Sequence, residues 1–81
     1  MKIEHTKQIR RALQKFPKQL QEIFYKQIEY LANDIRHPSL HAKKYDESTG
    51  VWQARVNKSV RFYFRIEGST YLLLNIRKHS D

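Results

Sequence analysis

Cysteine is absent from this chain, which excludes a disulfide framework and any thiolate metal site and suits a reducing compartment. Acidic residues are scarce. Eight Asp and Glu stand against 16 Lys and Arg, for a net charge of +8 and a pI near 10.0, so the natural partner is a polyanion, nucleic acid first and an acidic protein second. With two glycines and two prolines there is neither a low-complexity tract nor a linker, and no internal repeat is visible. No apolar stretch has the length of a membrane span, and the opening MKIEHTKQIRR is basic without a following apolar run. The chain is therefore expected to be soluble, unprocessed and without a membrane partner. Its 81 residues make a single domain, 1–81, close to the lower limit for folding alone; four Phe, five Tyr and one Trp supply the bulk of a core.

The first half reads as a short strand and two helices. Lys2 to His5 alternates around Ile3, and Thr6 suits the N-cap of a helix carrying Ile9, Ala12, Leu13 and Phe16 on one face. Pro17 fits the first turn of a second, longer helix with Leu20, Ile23, Phe24, Ile28, Leu31 and Ile35 at helical spacing. Pro38 is expected to stop it, with His37 to Lys44 following as a basic loop and Tyr45 to Gly50 (YDESTG) as a turn. His37 and His41 have a four-residue spacing, but Pro38 between them breaks the helical geometry that would make them metal ligands, so neither metal nor cofactor is expected.

The second half reads as a β-meander. Trp52, Ala54 and Val56, then Val60, Phe62, Phe64 and Ile66, then Leu72, Leu74 and Ile76 form the inward apolar sets. Keeping them inward pairs Val56 with Val60 across three residues and Ile66 with Leu72 across five, the second hairpin closing on a three-residue loop between Glu67 and Tyr71. The outer face then carries Arg55, Arg61 and Arg77 side by side, with Gln53, Tyr63 and Asn75 as the next row and Val51, Arg65 and Leu73 as the one after. Like charges directly opposite one another destabilise a sheet, so a row of three guanidiniums marks a functional site whose natural counter-charge is a phosphate. The predicted architecture is α+β in the order β-α-α-β-β-β, a helical hairpin on one face of a small, mainly antiparallel sheet.

This order of elements, the phrase WQARVNKSVRFYFRIEG and the closing NIRKH resemble the RelE/ParE superfamily of toxins from bacterial toxin–antitoxin modules, over nearly the whole chain. The resemblance implies one of two activities. RelE-like members cut messenger RNA in the ribosomal A site without a metal, and ParE-like members poison DNA gyrase; the former is preferred here, with a non-catalytic RNA- or protein-binding module as the third reading. It also implies a bacterial cytoplasmic protein inhibiting translation, held silent by a cognate antitoxin segment lying over its basic face, and it leaves a homodimer open.

Cleavage by a ribose 2′-hydroxyl needs a base, cations for the phosphorane charge and an acid for the 5′-oxygen. By resemblance to the YoeB branch, Arg61 matches the middle-strand arginine and His79 the C-terminal acid, with Glu47 the nearest match to the base; the branch follows its histidine with a tyrosine, where this chain has Ser80. Arg77 joins the catalytic set from its place in the row. Lys43 and Lys44, Arg55, Arg65 and Tyr63 are the expected RNA contacts, Tyr63 as a stacking face. Each has an ordinary alternative: a solvated lysine pair, a turn carboxylate at Glu47, an exposed terminal imidazole at His79. Trp52 reads as core. Arg61→Ala is expected to cost catalysis and to leave the fold intact.

Overall fold

In the computed structural model, which describes residues 1–79, Thr6 starts the helical half as a side-chain cap, its Oγ1 accepting the Ile9 N–H at 3.2 Å. Strand β1 (Lys2–His5) precedes it, and helices α1 (Lys7–Gln14) and α2 (Lys18–Asn33) follow, with Pro17 at the cap of α2. Helix α2 ends before Ile35, short of the Pro38 boundary expected from sequence. Asp34 ends it: its Oδ1 accepts the Arg36 N–H at 2.9 Å, a local bond that competes with another helical turn. Pro38–Leu40 then forms a single 3₁₀ turn. The buried stripe of α2 is Phe24, Gln27, Ile28 and Leu31; Ile23, expected on it, is largely exposed at the stripe's edge.

Four further strands complete the chain: β2 (Lys43–Asp46), β3 (Val51–Arg55), β4 (Val60–Glu67) and β5 (Thr70–Lys78). They form one sheet in the order β1-β5-β4-β3-β2, with β1 parallel to β5 and the other pairs antiparallel. The α+β class and the helical hairpin over one sheet face are as expected. Strand β2 is an addition, lying where a basic loop and turn were predicted. Its residues KKYD carry no inward apolar member, so periodicity could not reveal it, and its lysines suit an edge that must not recruit another strand.

The register of the arginine row is the predicted one. Arg55 opposes Arg61 and Arg61 opposes Arg77, and Gln53, Tyr63 and Asn75 form the next row. Beyond Tyr63 the prediction fails, because a bulge lets Phe64 oppose Leu73 and leaves Leu74 as the extra residue. Tyr71, Leu73 and Ile76 are therefore the buried set, while Leu72 and Leu74 are half-buried and Ile66 faces Tyr71 near the hairpin end, substantially exposed. The apolar run of β5 fits either parity, so alternation alone could not choose. Thr6 helps to choose: its N–H bonds the Leu73 carbonyl at 3.3 Å and its hydroxyl donates to the Leu74 carbonyl at 3.4 Å. The β4–β5 loop also tightens to two residues, with Glu67 opposite Thr70 and Gly68 at φ 59°, the left-handed position glycine takes without strain.

The core lies between the helices and the inner sheet face, with Phe24 edge-on to Phe62 at 5.5 Å and Phe64 edge-on to Tyr71 at 5.5 Å. Trp52 packs against it, stacked on Phe64. No helix among the described residues is long and apolar enough to cross a membrane. At the rim, burial first and Arg10 second hold the His5 imidazole below its ordinary value of 6.5, and its Nε2 is buried without a hydrogen-bond partner among the described residues. The unfolded chain thus takes up this proton first. Stability tied to His5 is full above about pH 6.5 and declines as pH falls through the depressed folded value. Urea unfolding at pH 7.5 and 5.5 is expected to show that loss in the wild type and a smaller one in His5→Gln.

Candidate functional site

Tying the outer sheet face to the helices is Gln27, 5% exposed, whose Nε2 donates to the carbonyls of Ser39 (3.1 Å) and Arg55 (2.9 Å) while its Oε1 accepts from the Ser39 hydroxyl (3.1 Å). One buried amide thus fixes both the 3₁₀ turn and the end of β3. Gln27→Ala strands two carbonyls and leaves the Ser39 hydroxyl only its 2.9 Å contact with His37 Nδ1, and is expected to lower the unfolding free energy by about 2–3 kcal/mol in denaturant titration.

From that turn the chain enters His41 in the left-handed conformation, φ 45°, which costs an L-residue about 1–2 kcal/mol. Fully buried Leu40 on one side and β2 on the other hold it there. Backbone strain of this kind gathers at functional sites, and His41 lines a recess of about 490 Å³ together with Lys43, Gln53, Arg55, Arg61 and His79. The His79 N–H is anchored to the Ser59 carbonyl at 2.7 Å, which ties the end of β5 to the β3–β4 loop.

Arg61 is 6% exposed, an unusual depth for a cation. Its Nη1 donates to the carbonyls of Asn57 (2.7 Å), Lys58 (3.0 Å) and Val60 (3.3 Å), while Nε and Nη2 make no hydrogen bond among the described residues. Asn57 braces that loop in turn, its Oδ1 accepting the N–H groups of Ser59 and Val60. Arg77 lies with its guanidinium carbon 4.7 Å from the centre of the Tyr63 ring. Burial acts to lower the Arg77 pKa, but hydrogen bonds and Coulombic contributions from Tyr63 and Tyr45 outweigh it, so the net shift is upward and the charge is permanent. Carbonyl dipoles around Arg61 and a π-face under Arg77 are how the fold tolerates three arginines in a row. No carboxylate does so among the described residues, where Arg65 with Glu67 (3.4 Å) is the sole ion pair.

Of the residues singled out from sequence, Arg55, Arg61, His79 and Lys43 come together in this recess, with Arg77 and Tyr63 in the depression beside it. The others lie elsewhere. Lys44 opposes Trp52 and sits over its ring at 5.8 Å, and Arg65 is engaged by Glu67. Glu47 stands in the exposed β2–β3 turn and lines neither hollow. Tyr63 is buried between Arg77 and Tyr45, which leaves it little free face for stacking. Ser80, where the YoeB branch has its tyrosine, lies outside the described residues. His41, Tyr45 and Gln53 were missed as site residues, because β2, which aligns the first two beside the row, has no sequence signal. His37, the other half of the histidine pair, is used separately, stacked on Tyr30 at 3.8 Å.

No protein-family model matches the sequence, and no curated protein does. Solved structures match from end to end. A YoeB/ParE toxin from Agrobacterium tumefaciens has a TM-score of 0.81 at 19% identity, covering 99% of this chain and 100% of that one. A YoeB dimer from Staphylococcus aureus gives 0.80 at 13%, over 99% and 98%, and the archaeal RelE-RelB complex from Pyrococcus horikoshii OT3 gives 0.79 at 17%, over 95% and 92%. These likenesses establish the class of fold: the chain has the α+β architecture of the RelE and YoeB toxins. The resemblance read from WQARVNKSVRFYFRIEG is thereby borne out at the level of the fold.

Proposed function

We propose that this protein is the toxin of a toxin–antitoxin module and that it cleaves messenger RNA, on the ribosome, with side chains alone. The observation carrying this reading is a recess in which two imidazoles, His41 and His79, meet two arginines that have no carboxylate partner among the described residues. A scissile phosphate fits against Arg61, with Arg55 and Lys43 adding positive charge as the phosphorane develops. His41 takes the proton of the ribose 2′-hydroxyl; the 2′-oxygen bonds to phosphorus as the bond from phosphorus to the 5′-oxygen breaks. His79 protonates that leaving oxygen, giving a 2′,3′-cyclic phosphate and a 5′-hydroxyl end. Imidazole suits both roles because its ring nitrogens can accept a proton in one state and donate one in the other. Glu47, exposed in its turn, yields the base's part to His41. The partner that silences the toxin is an antitoxin whose acidic segment covers the basic face, in a bacterial cytoplasm.

The test is controlled expression in bacteria with 5′-end mapping of a defined transcript. Growth arrest with new in-frame ends supports the reading; arrest with intact transcripts moves it to a gyrase poison, and folded protein without arrest to a binding module. His41→Asn separates chemistry from folding, since asparagine tolerates the left-handed conformation. Cleavage is expected to fall by about 10²-fold or more, and thermal stability to stay within about 0.5 kcal/mol.

A further inference from the structure

Two glutamines of this chain are almost fully buried, and their amides are treated in opposite ways. Gln27 has both ends bonded to the protein. Gln53, 8% exposed in the middle of β3, makes no side-chain hydrogen bond among the described residues. The buried side-chain atoms left without a hydrogen-bond partner belong to His5 and Arg65 among the described residues, so the Gln53 amide opens to solvent with its donor and acceptor free for a ligand. Gln53 opposes Lys43 on one side and Tyr63 on the other, and it lines both the phosphate recess and the neighbouring depression of Tyr45, Tyr63 and Arg77. A group reaching Gln53 from that depression therefore lies beside a phosphate held by Arg61.

Tyr45 supplies the other half. It is 56% exposed, and its ring meets Tyr63 edge-on at 5.0 Å and 66°. Tyr63 is in turn backed by Arg77. Tyr63 is thus a wall, and Tyr45 is the aromatic with surface to spare, held by that wall on an edge strand. We propose that Tyr45 and Gln53 form a nucleobase subsite next to the phosphate recess, Tyr45 stacking on one unstacked base of a single-stranded RNA while the Gln53 amide pairs with the base edge, adenine being preferred. Adenine offers a donor and an acceptor side by side at N6 and N7, the arrangement that a glutamine amide pairs with in bidentate fashion. Unstacked bases on aromatic side chains are the usual form of sequence-specific RNA recognition. This subsite rests on the RNA-cleaving reading and adds to it the base beside the cut.

The experiment is equilibrium binding of four short single-stranded oligonucleotides, 2′-deoxy at the scissile position so that they cannot be cut, differing only in carrying A, C, G or U at one position. Wild type, Gln53→Leu and Tyr45→Ala are compared at fixed salt. The wild type is expected to bind the adenine oligonucleotide about tenfold more tightly than the others. Gln53→Leu should erase that preference while keeping salt-dependent binding, and should melt close to wild type, because the amide it removes makes no hydrogen bond to the described residues. Tyr45→Ala should weaken all four by about tenfold. Equal binding of the four by wild type, or an undiminished preference in Gln53→Leu, overturns the subsite and leaves the nuclease reading standing. Failure of folded wild type to bind any of them, with retained binding of an acidic peptide, overturns both.

Discussion

Arg61→Ala is expected to lower RNA cleavage by about 10²–10³-fold, the usual cost of removing one preorganised donor aimed at transition-state charge. It is also expected to lower the unfolding free energy by about 2 kcal/mol. The second effect contradicts the idea of an indifferent fold, and it follows from the three loop carbonyls that Nη1 satisfies. Arginine here does two jobs at once: one edge of the guanidinium closes the β3–β4 loop, while Nε and Nη2 remain unused by the described residues. Activity must therefore be compared at a temperature where both proteins are folded, as checked by circular dichroism. Arg61→Lys sharpens the test, because an ammonium keeps the charge but cannot span loop and phosphate with a planar fork. Cleavage by folded Arg61→Ala at the wild-type rate would remove this recess from the chemistry.

Phe64→Ala is expected to have the largest effect on stability, about 3–5 kcal/mol for a fully buried aromatic. Its ring meets Phe62, Tyr71 and Trp52, so truncation opens a cavity where the two meander hairpins share the core. A domain of this length holds roughly 4–12 kcal/mol in total, so the variant keeps little or none of it. Thermal melting should show a midpoint at least about 12 °C lower. A drop of less than about 5 °C would mean that this end of the sheet is loosely packed. Because Phe64 sits opposite Leu73 at the bulge, the same change tests whether core packing holds the shifted register of β5.

Much of this molecule was legible before any coordinate. The inward residues of β3 and the first part of β4 alternate cleanly, and that parity carried Arg55, Arg61 and Arg77 to one face in the register that was found. Thr6, Pro17 and the apolar stripe placed the helical hairpin in the same way, since caps and periodicity act over a few residues. What escaped were features whose cause lies far away in the chain. The five consecutive residues YLLLN of β5 are compatible with two parities, and Thr6, 68 positions away from Leu74, takes part in choosing one. Strand β2 has no hydrophobic pattern, so only pairing with β3 makes it a strand and brings His41, Lys43 and Tyr45 beside the row. By itself, the sequence determined the fold class, the basic face and the line of arginines, because those follow from local periodicity and charge. Tertiary structure alone decided which of the candidates share a recess, turning Lys44 onto Trp52 and Arg65 toward Glu67 and setting His41 at the recess, because such choices depend on edge pairing and backbone strain between distant segments.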